Sequence, residues 1–174
     1  IFDRDYVARR RREQGFGVNP WHSHTRFIIS HALLREEEYA APLRDWLGVF
    51  SPGSMLILDE AHHAAPSSGS KYAIDSKFTK TVRSVAERFE HRLFLSATPH
   101  NGHSNSFAAL LEILDPQRFC RGVPVKSASL LDAIMVRRLK NDLREIGQEF
   151  PRRVVEQIDI KDLPADAPEL HLSR

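Results

Sequence analysis

Short apolar runs alternate with amphipathic stretches along most of this chain. Arg26-Phe27-Ile28-Ile29-Ser30 reads as a short buried strand, followed by a helix over residues 33–39 and a second over 42–47. Ser51-Pro52-Gly53 reads as a turn. It feeds Met55-Leu56-Ile57-Leu58, a run too short for a helix and apolar at every position, as in a strand covered on both faces. Residues 64–69, with Pro66 and two serines, read as a loop. Beyond it, Phe78, Val82, Val85, Ala86 and Phe89 recur at helical spacing, with Asp75 as the expected N-cap. Residues 92–96 predict a third buried strand. Phe107, Leu110, Leu111 and Leu114 predict a helix stopped by Asp115-Pro116. At the start, residues 5–14 read as an exposed helix end, broken by Gly15-Phe16-Gly17 and Asn19-Pro20. Later, Ile134-Met135-Val136 reads as a strand, and Val154, Ile158 and Ile160 alternate like one. Buried strands separated by helices predict an α/β fold, a parallel sheet with helices on both faces.

Composition narrows the class. At 174 residues, 41% hydrophobic and 28% charged, the chain has the make-up of one globular domain with a real core. No apolar run approaches the roughly 18 residues of a membrane span, and Ile1-Phe2-Asp3-Arg4-Asp5 lacks the apolar region of a secretory signal. The single Cys120 excludes an internal disulfide and points to a reducing, cytoplasmic compartment. A net charge of +2 implies no polyanionic partner, but its distribution is uneven. Residues 118–153 carry nine basic groups against four acidic ones, 154–174 swing acidic, and Arg9 to Arg12 are consecutive. Such clusters either attract phosphate or form solvated helix faces. A start on Ile1 and an end in an acidic, proline-containing stretch read as a segment cut from a longer protein.

The chemistry concentrates at Asp59-Glu60-Ala61-His62, where the 55–58 run ends in two adjacent carboxylates. Open α/β sheets bind ligands at the carboxyl ends of their strands. There, one carboxylate can hold Mg²⁺ while its neighbour orients or deprotonates a water. A bare Asp-Glu after a strand is more often an acidic helix start. The second motif shifts that balance: Ser96-Ala97-Thr98-Pro99 ends the 92–96 strand, one helix later.

Together these resemble motifs II (D-E-A-H) and III (S-A-T-P) of superfamily-two helicases. The flanks resemble the SWI/SNF-like branch of DNA translocases, in wording closest to prokaryotic members. Ser96 to Asn101 and Gly102, then Phe107 to Asp115-Pro116, look like that branch's motif III and the leucine-rich helix after it. Met135-Val136-Arg137-Arg138-Leu139-Lys140-Asn141-Asp142 looks like its R-R-x-K-x-D box, Phe150-Pro151-Arg152-Arg153 like its Pro-basic step, and Phe27 to His31 like motif Ib. The resemblance spans about residues 26–162. It implies a partial RecA-like lobe of the P-loop NTPase type: 1–25 an upstream segment, 26–150 the later part of the first lobe, 151–174 an exit toward a second RecA-like lobe of the same parent chain. It implies ATP and Mg²⁺ as cofactors and double-stranded DNA as partner. Asp59 would help hold Mg²⁺ through water, and Glu60 would be the base for the hydrolytic water. His62, Ser96 and Thr98 would couple nucleotide state to DNA grip. Ser30, Arg137, Arg138 and Lys140 would touch the nucleic-acid backbone or pair between lobes. The strands containing Ile28, Ile57 and Leu95 would lie together in one half-sheet.

Two departures qualify this. The branch places Asn three residues after the motif III proline, whereas Asn101 is two after Pro99, so Asn101 receives no role. No G-x-x-x-x-G-K-[ST] occurs in the chain, so the phosphate cradle must come from elsewhere in the parent, and the chain alone should not hydrolyse ATP. Nine histidines invite a metal site, but H-E-x-x-H is absent and His62 and His63 are adjacent, which argues against structural zinc. Trp21 and Trp46 read as packing residues, and Cys120 as a bystander. The functional classes are an ATP-driven duplex DNA translocase, a catalytically inactive lobe that binds nucleic acid or protein, and an RNA-separating D-E-A-H helicase. The carboxylate pair argues against the second and the Arg137 box against the third.

Overall fold

The structure is a computed structural model that describes residues 1–66, 74–99, 104–125, 127–138 and 154–156. The chain divides into two compact units, Ile1–Ala128 and Ser129–Arg174.

The first unit opens with helix α1 (Arg4–Gln14), capped by Asp3, whose Oδ1 accepts the Tyr6 amide at 2.7 Å. Gly15 ends it at φ +88°, a conformation glycine adopts without a Cβ clash. The expected exposed helix end is instead anchored: Tyr6 and Val7 are buried, and Phe2 stacks on Trp21 with centroids 3.9 Å apart. A short 3-10 turn (Pro20–Ser23) carries Trp21, whose indole N–H donates to the Tyr39 carbonyl at 3.1 Å. Trp21 is buried and Trp46 half-buried, both in the aromatic cluster with Phe2 and Phe27.

The strand expected over 26–30 does not form. Ile29 makes a single parallel bridge to Phe2, Ile28 is 73% exposed, and neither joins the main sheet among the described residues. The Phe2 amide takes the Ile28 carbonyl at 2.7 Å, and Ser30 immediately caps the next helix, leaving no length for a ladder. The helices that follow also divide differently. α2 (His31–Leu34) is one turn, and α3 (Glu37–Leu47) runs straight through Pro42. A proline there removes one intrahelical N–H, while burial of Tyr39, Ala40, Leu43 and Leu47 holds the helix together.

Strand β1 (Ser51–Leu58) begins earlier than its apolar run, absorbing the expected turn. Gly53 at φ +69° sits where the pairing register slips between Ser51 and Met55. Helix α4 (Lys77–Ala86) is capped by Ser76 rather than Asp75: the Ser76 hydroxyl accepts the Thr79 amide at 3.0 Å. Asp75 pairs instead with Arg121 at 2.6 Å. β2 (Phe89–Phe94) starts at Phe89, so that residue belongs to the strand and not to the helical stripe. The two strands run parallel, with Ile57 opposite Leu93 and Leu58 opposite Phe94. Helix α5 (Ser104–Leu114) follows. The Arg92 guanidinium donates to the Leu114 carbonyl at 3.0 Å, satisfying an orphan group at the α5 end.

Among the described residues this is a small two-stranded parallel sheet flanked by helices, of α/β type. The core gathers Leu58, Phe78, Val82, Val85, Leu110 and Ile113, with Leu56 and Phe94 packed against it. The other sheet face departs from the expected burial. Met55, Ile57, Leu93 and Leu95 are 43–57% exposed, so the strands are covered on one face only.

In the second unit, most of α6 (Ala128–Asp132) is a single turn with no buried residue. The expected strand at 134–136 is absent. Ile134 and Met135 donate their amides back to the Leu131 carbonyl at 3.0 and 2.8 Å, prolonging the turn, and Val136 is exposed. Val154 and Val155 are exposed and carry no strand; Ile158 and Ile160 lie outside the described residues. No helix among the described residues is long and apolar enough to cross a membrane.

Candidate active site

Parallel pairing puts the carboxyl ends of β1 and β2 side by side, which sets the two motifs next to each other. The backbone continues the register past both strands. The Leu95 amide donates to the Leu58 carbonyl at 2.9 Å, and the Ala61 amide to the Leu95 carbonyl at 2.8 Å. Between those bonds the chain must turn within Asp59-Glu60. Glu60 does so at φ +47°, ψ +45°, and among the described residues no other non-glycine residue has positive φ. The left-handed region costs an L-residue roughly 1–2 kcal/mol. Asp59 Oδ1 accepts the Glu60 amide at 2.9 Å, and the Glu60 carbonyl accepts the His63 amide at 3.0 Å, so local hydrogen bonds hold the turn. The expectation of a helix start here is met only by a 3-10 turn (Ala61–Ala64), without a side-chain cap.

The turn brings three of the expected side chains together. His62 Nδ1 lies 3.2 Å from Glu60 Oε2 and 3.1 Å from Ser96 Oγ. One ring nitrogen therefore faces a carboxylate on β1's exit and a hydroxyl on β2's exit. With a proton, Nδ1 donates to the carboxylate or to the hydroxyl oxygen; without one, it can accept only from Ser96. Ser96 Oγ in turn accepts the Thr98 amide at 3.2 Å, fixing the start of the second motif's loop. Asp59, Glu60 and Thr98 are exposed, His62 and Ser96 half-buried, and Ala61 beneath them fully buried. The arrangement is a solvent-facing pair of carboxylates on a rigid base, one of them held by an imidazole.

The sequence reading missed His31. Its ring stacks obliquely on Phe78 at 4.7 Å and lies 6.2 Å from the His63 ring. Burial, then the neighbouring His63, lowers its pKa from the ordinary histidine value, opposed by a hydrogen bond to the Asp59 backbone and by the Asp59 charge. A cleft of 510 Å³ opens beside it, lined by Ala32, Arg35, His63, Ser76, Lys77 and Phe78 as well. His31 stands directly after Ser30 in the motif-like segment, but nothing in one strand's sequence says which neighbouring strand end it faces.

The remaining expected residues are not brought to this site. Ser30 is the N-cap of α2, its hydroxyl accepting the Leu33 amide at 3.2 Å, and its side chain is exposed. Arg137 and Arg138 are exposed in the second unit, and Lys140 lies outside the described residues. Asn101 lies outside them too. Asp75, expected as a cap, ties α4 to the segment after α5 through Arg121 and also approaches Arg83, which pairs with Glu112. No composition or spacing signal marks that network, since its members are 46 residues apart at the extremes.

Among the described residues no three His, Cys, Asp or Glu side chains gather as a metal-holding group. Asp59 nonetheless offers what Mg²⁺ uses when phosphate and water supply its other ligands: one exposed, hard carboxylate donor. Compared with models of known protein families, the chain matches none.

Proposed function

We propose that this chain is the later part of a RecA-like first lobe in an ATP-driven double-stranded DNA translocase of the SWI/SNF-like type. The observation that carries the reading is the meeting of Glu60, His62 and Ser96 at adjacent parallel strand ends. A nucleotide-dependent motor needs its hydrolytic carboxylate in contact with an element that can move with the nucleic-acid grip. His62 gives Glu60 that contact with the Ser96–Thr98 loop.

In this reading Asp59 is the protein's ligand to Mg²⁺, which when bound with ATP would neutralise phosphate charge. Glu60 accepts a proton from the attacking water, its carboxylate aimed by His62 Nδ1. Ser96 and Thr98 relay the position of their loop to His62. Ser30, Arg137, Arg138 and Lys140 serve backbone contact or pairing with the second lobe, and the phosphate-binding loop comes from elsewhere in the parent protein.

The test is a stimulation profile: ATP turnover by the full-length protein with duplex DNA, single-stranded DNA, RNA or nothing added. The proposal expects duplex DNA to stimulate most. Preference for RNA would move the assignment to an RNA helicase, and no turnover with any nucleic acid would move it to a binding lobe without hydrolysis.

A further inference from the structure

We propose that Arg9, Arg12 and Phe16, at the outer end of α1, form a contact surface for double-stranded DNA separate from the nucleotide site. The choice of duplex DNA rests on the function proposed above; the surface itself stands on the geometry of α1. Four consecutive arginines on a helix step about 100° each and cannot share one face. Two of them are occupied: Arg10 pairs with Glu13 at 3.4 Å and Arg11 with Glu38 at 2.8 Å. Among the described residues Arg9 and Arg12 have no acidic partner within 4 Å. Both are exposed and lie three apart, hence adjacent on one face. Arg9 rests its guanidinium 5.8 Å from the Tyr6 ring, and Arg12 Nε reaches the Ala8 carbonyl at 3.3 Å.

The helix is a rigid mount, since Tyr6 and Val7 are buried and Phe2 stacks on Trp21. Directly beyond its last turn, Phe16 is 86% exposed between Gly15 and Gly17, around which there is open space. Guanidinium groups that reach phosphates, with an apolar ring beside them to press on a groove edge, are the recurring parts of a backbone-plus-wedge grip. A bilayer fits this surface less well. The apolar side of α1 is spent in the core, which leaves Phe16 without a helical face to insert.

The experiment measures equilibrium binding of a labelled duplex to the full-length protein between about 50 and 200 mM salt. It compares wild type, Arg9→Gln/Arg12→Gln, Phe16→Ala and the control Arg10→Gln. All three arginines and Phe16 sit on the helix's outer side, and circular dichroism checks that each variant folds. Two lost phosphate contacts should reduce the slope of log K against log salt by about 2, so the wild-type advantage should shrink about tenfold across that range. Phe16→Ala should weaken binding with the slope unchanged, and Arg10→Gln should leave both nearly as in wild type. An unchanged slope and affinity in the double variant, with wild type still binding duplex, overturns the surface and leaves the motor reading standing. Failure of wild type to bind duplex at any salt overturns both. Loss of binding to phosphatidylserine vesicles in the double variant, with duplex binding intact, overturns the surface as a DNA contact.

Discussion

Replacing Glu60 by glycine should make the protein more stable than replacing it by alanine. Both changes delete the carboxylate and its contact with His62 Nδ1, so the difference isolates the backbone. Alanine keeps a Cβ at φ +47°, where an L-residue carries a penalty of roughly 1–2 kcal/mol; glycine does not. Glycine loses more freedom on folding, which returns about 0.4–1 kcal/mol in alanine's favour. The net is about 1 kcal/mol for glycine, the opposite sign to an ordinary helical site, where glycine is worse than alanine by about 1 kcal/mol. The lost Glu60–His62 contact adds little to either variant, because the Glu60 side chain is 53% exposed. Urea unfolding followed by tryptophan fluorescence suits the measurement, because Trp21 is buried in the core. The expected result is a higher midpoint for Glu60→Gly than for Glu60→Ala at equal m-value. A Glu60→Gly midpoint at or below that of Glu60→Ala would refute the left-handed turn, and with it the reason Glu60 points where it does.

Other outcomes follow from the same packing. Ser76→Ala should cost about 1 kcal/mol as a lost helix cap, measured by urea unfolding. Asp75→Asn should cost about 1–3 kcal/mol through the Arg121 pair and leave the α4 start intact; loss of helical circular dichroism in Asp75→Asn alone would restore Asp75 as the cap. Phe2→Ala should cost about 3–5 kcal/mol, a large effect for a residue so near the chain start, because the ring stacks on Trp21. His31 is harder to protonate when folded, so the unfolded chain binds more protons just below 6.5; stability should fall as pH drops through that value toward the depressed folded one. Comparing wild type with His31→Gln across that range checks this, and an equal pH slope in both would contradict it.

Legibility in the sequence tracked local rules. The 55–58 run, the α4 stripe and the Asp115-Pro116 stop each depend on neighbours within a few residues, and each element formed. The 26–30 segment has the same apolar pattern as β1, yet it does not become a sheet strand: Phe2 takes the Ile28 carbonyl, a partner only the folded chain supplies. Pro42 looked like a break because propensity argues against it, while the apolar face of α3 overrode that local cost. Of the candidate site, Glu60, His62 and Ser96 were legible as motif members. Their meeting through one imidazole nitrogen was not, because it depends on the left-handed turn at Glu60 and on which strands pair. His31 and the Asp75–Arg121 pair were invisible for the same reason: both are contacts between elements.

The most direct test of the central claim is Mg-ATP turnover by the full-length protein with saturating duplex DNA, wild type beside Glu60→Gln, with nucleotide affinity measured on both. If Glu60 is the base that His62 aims, Glu60→Gln should lower turnover by about 10²–10⁴-fold while nucleotide affinity stays near that of wild type. Turnover in Glu60→Gln equal to wild type would contradict the account.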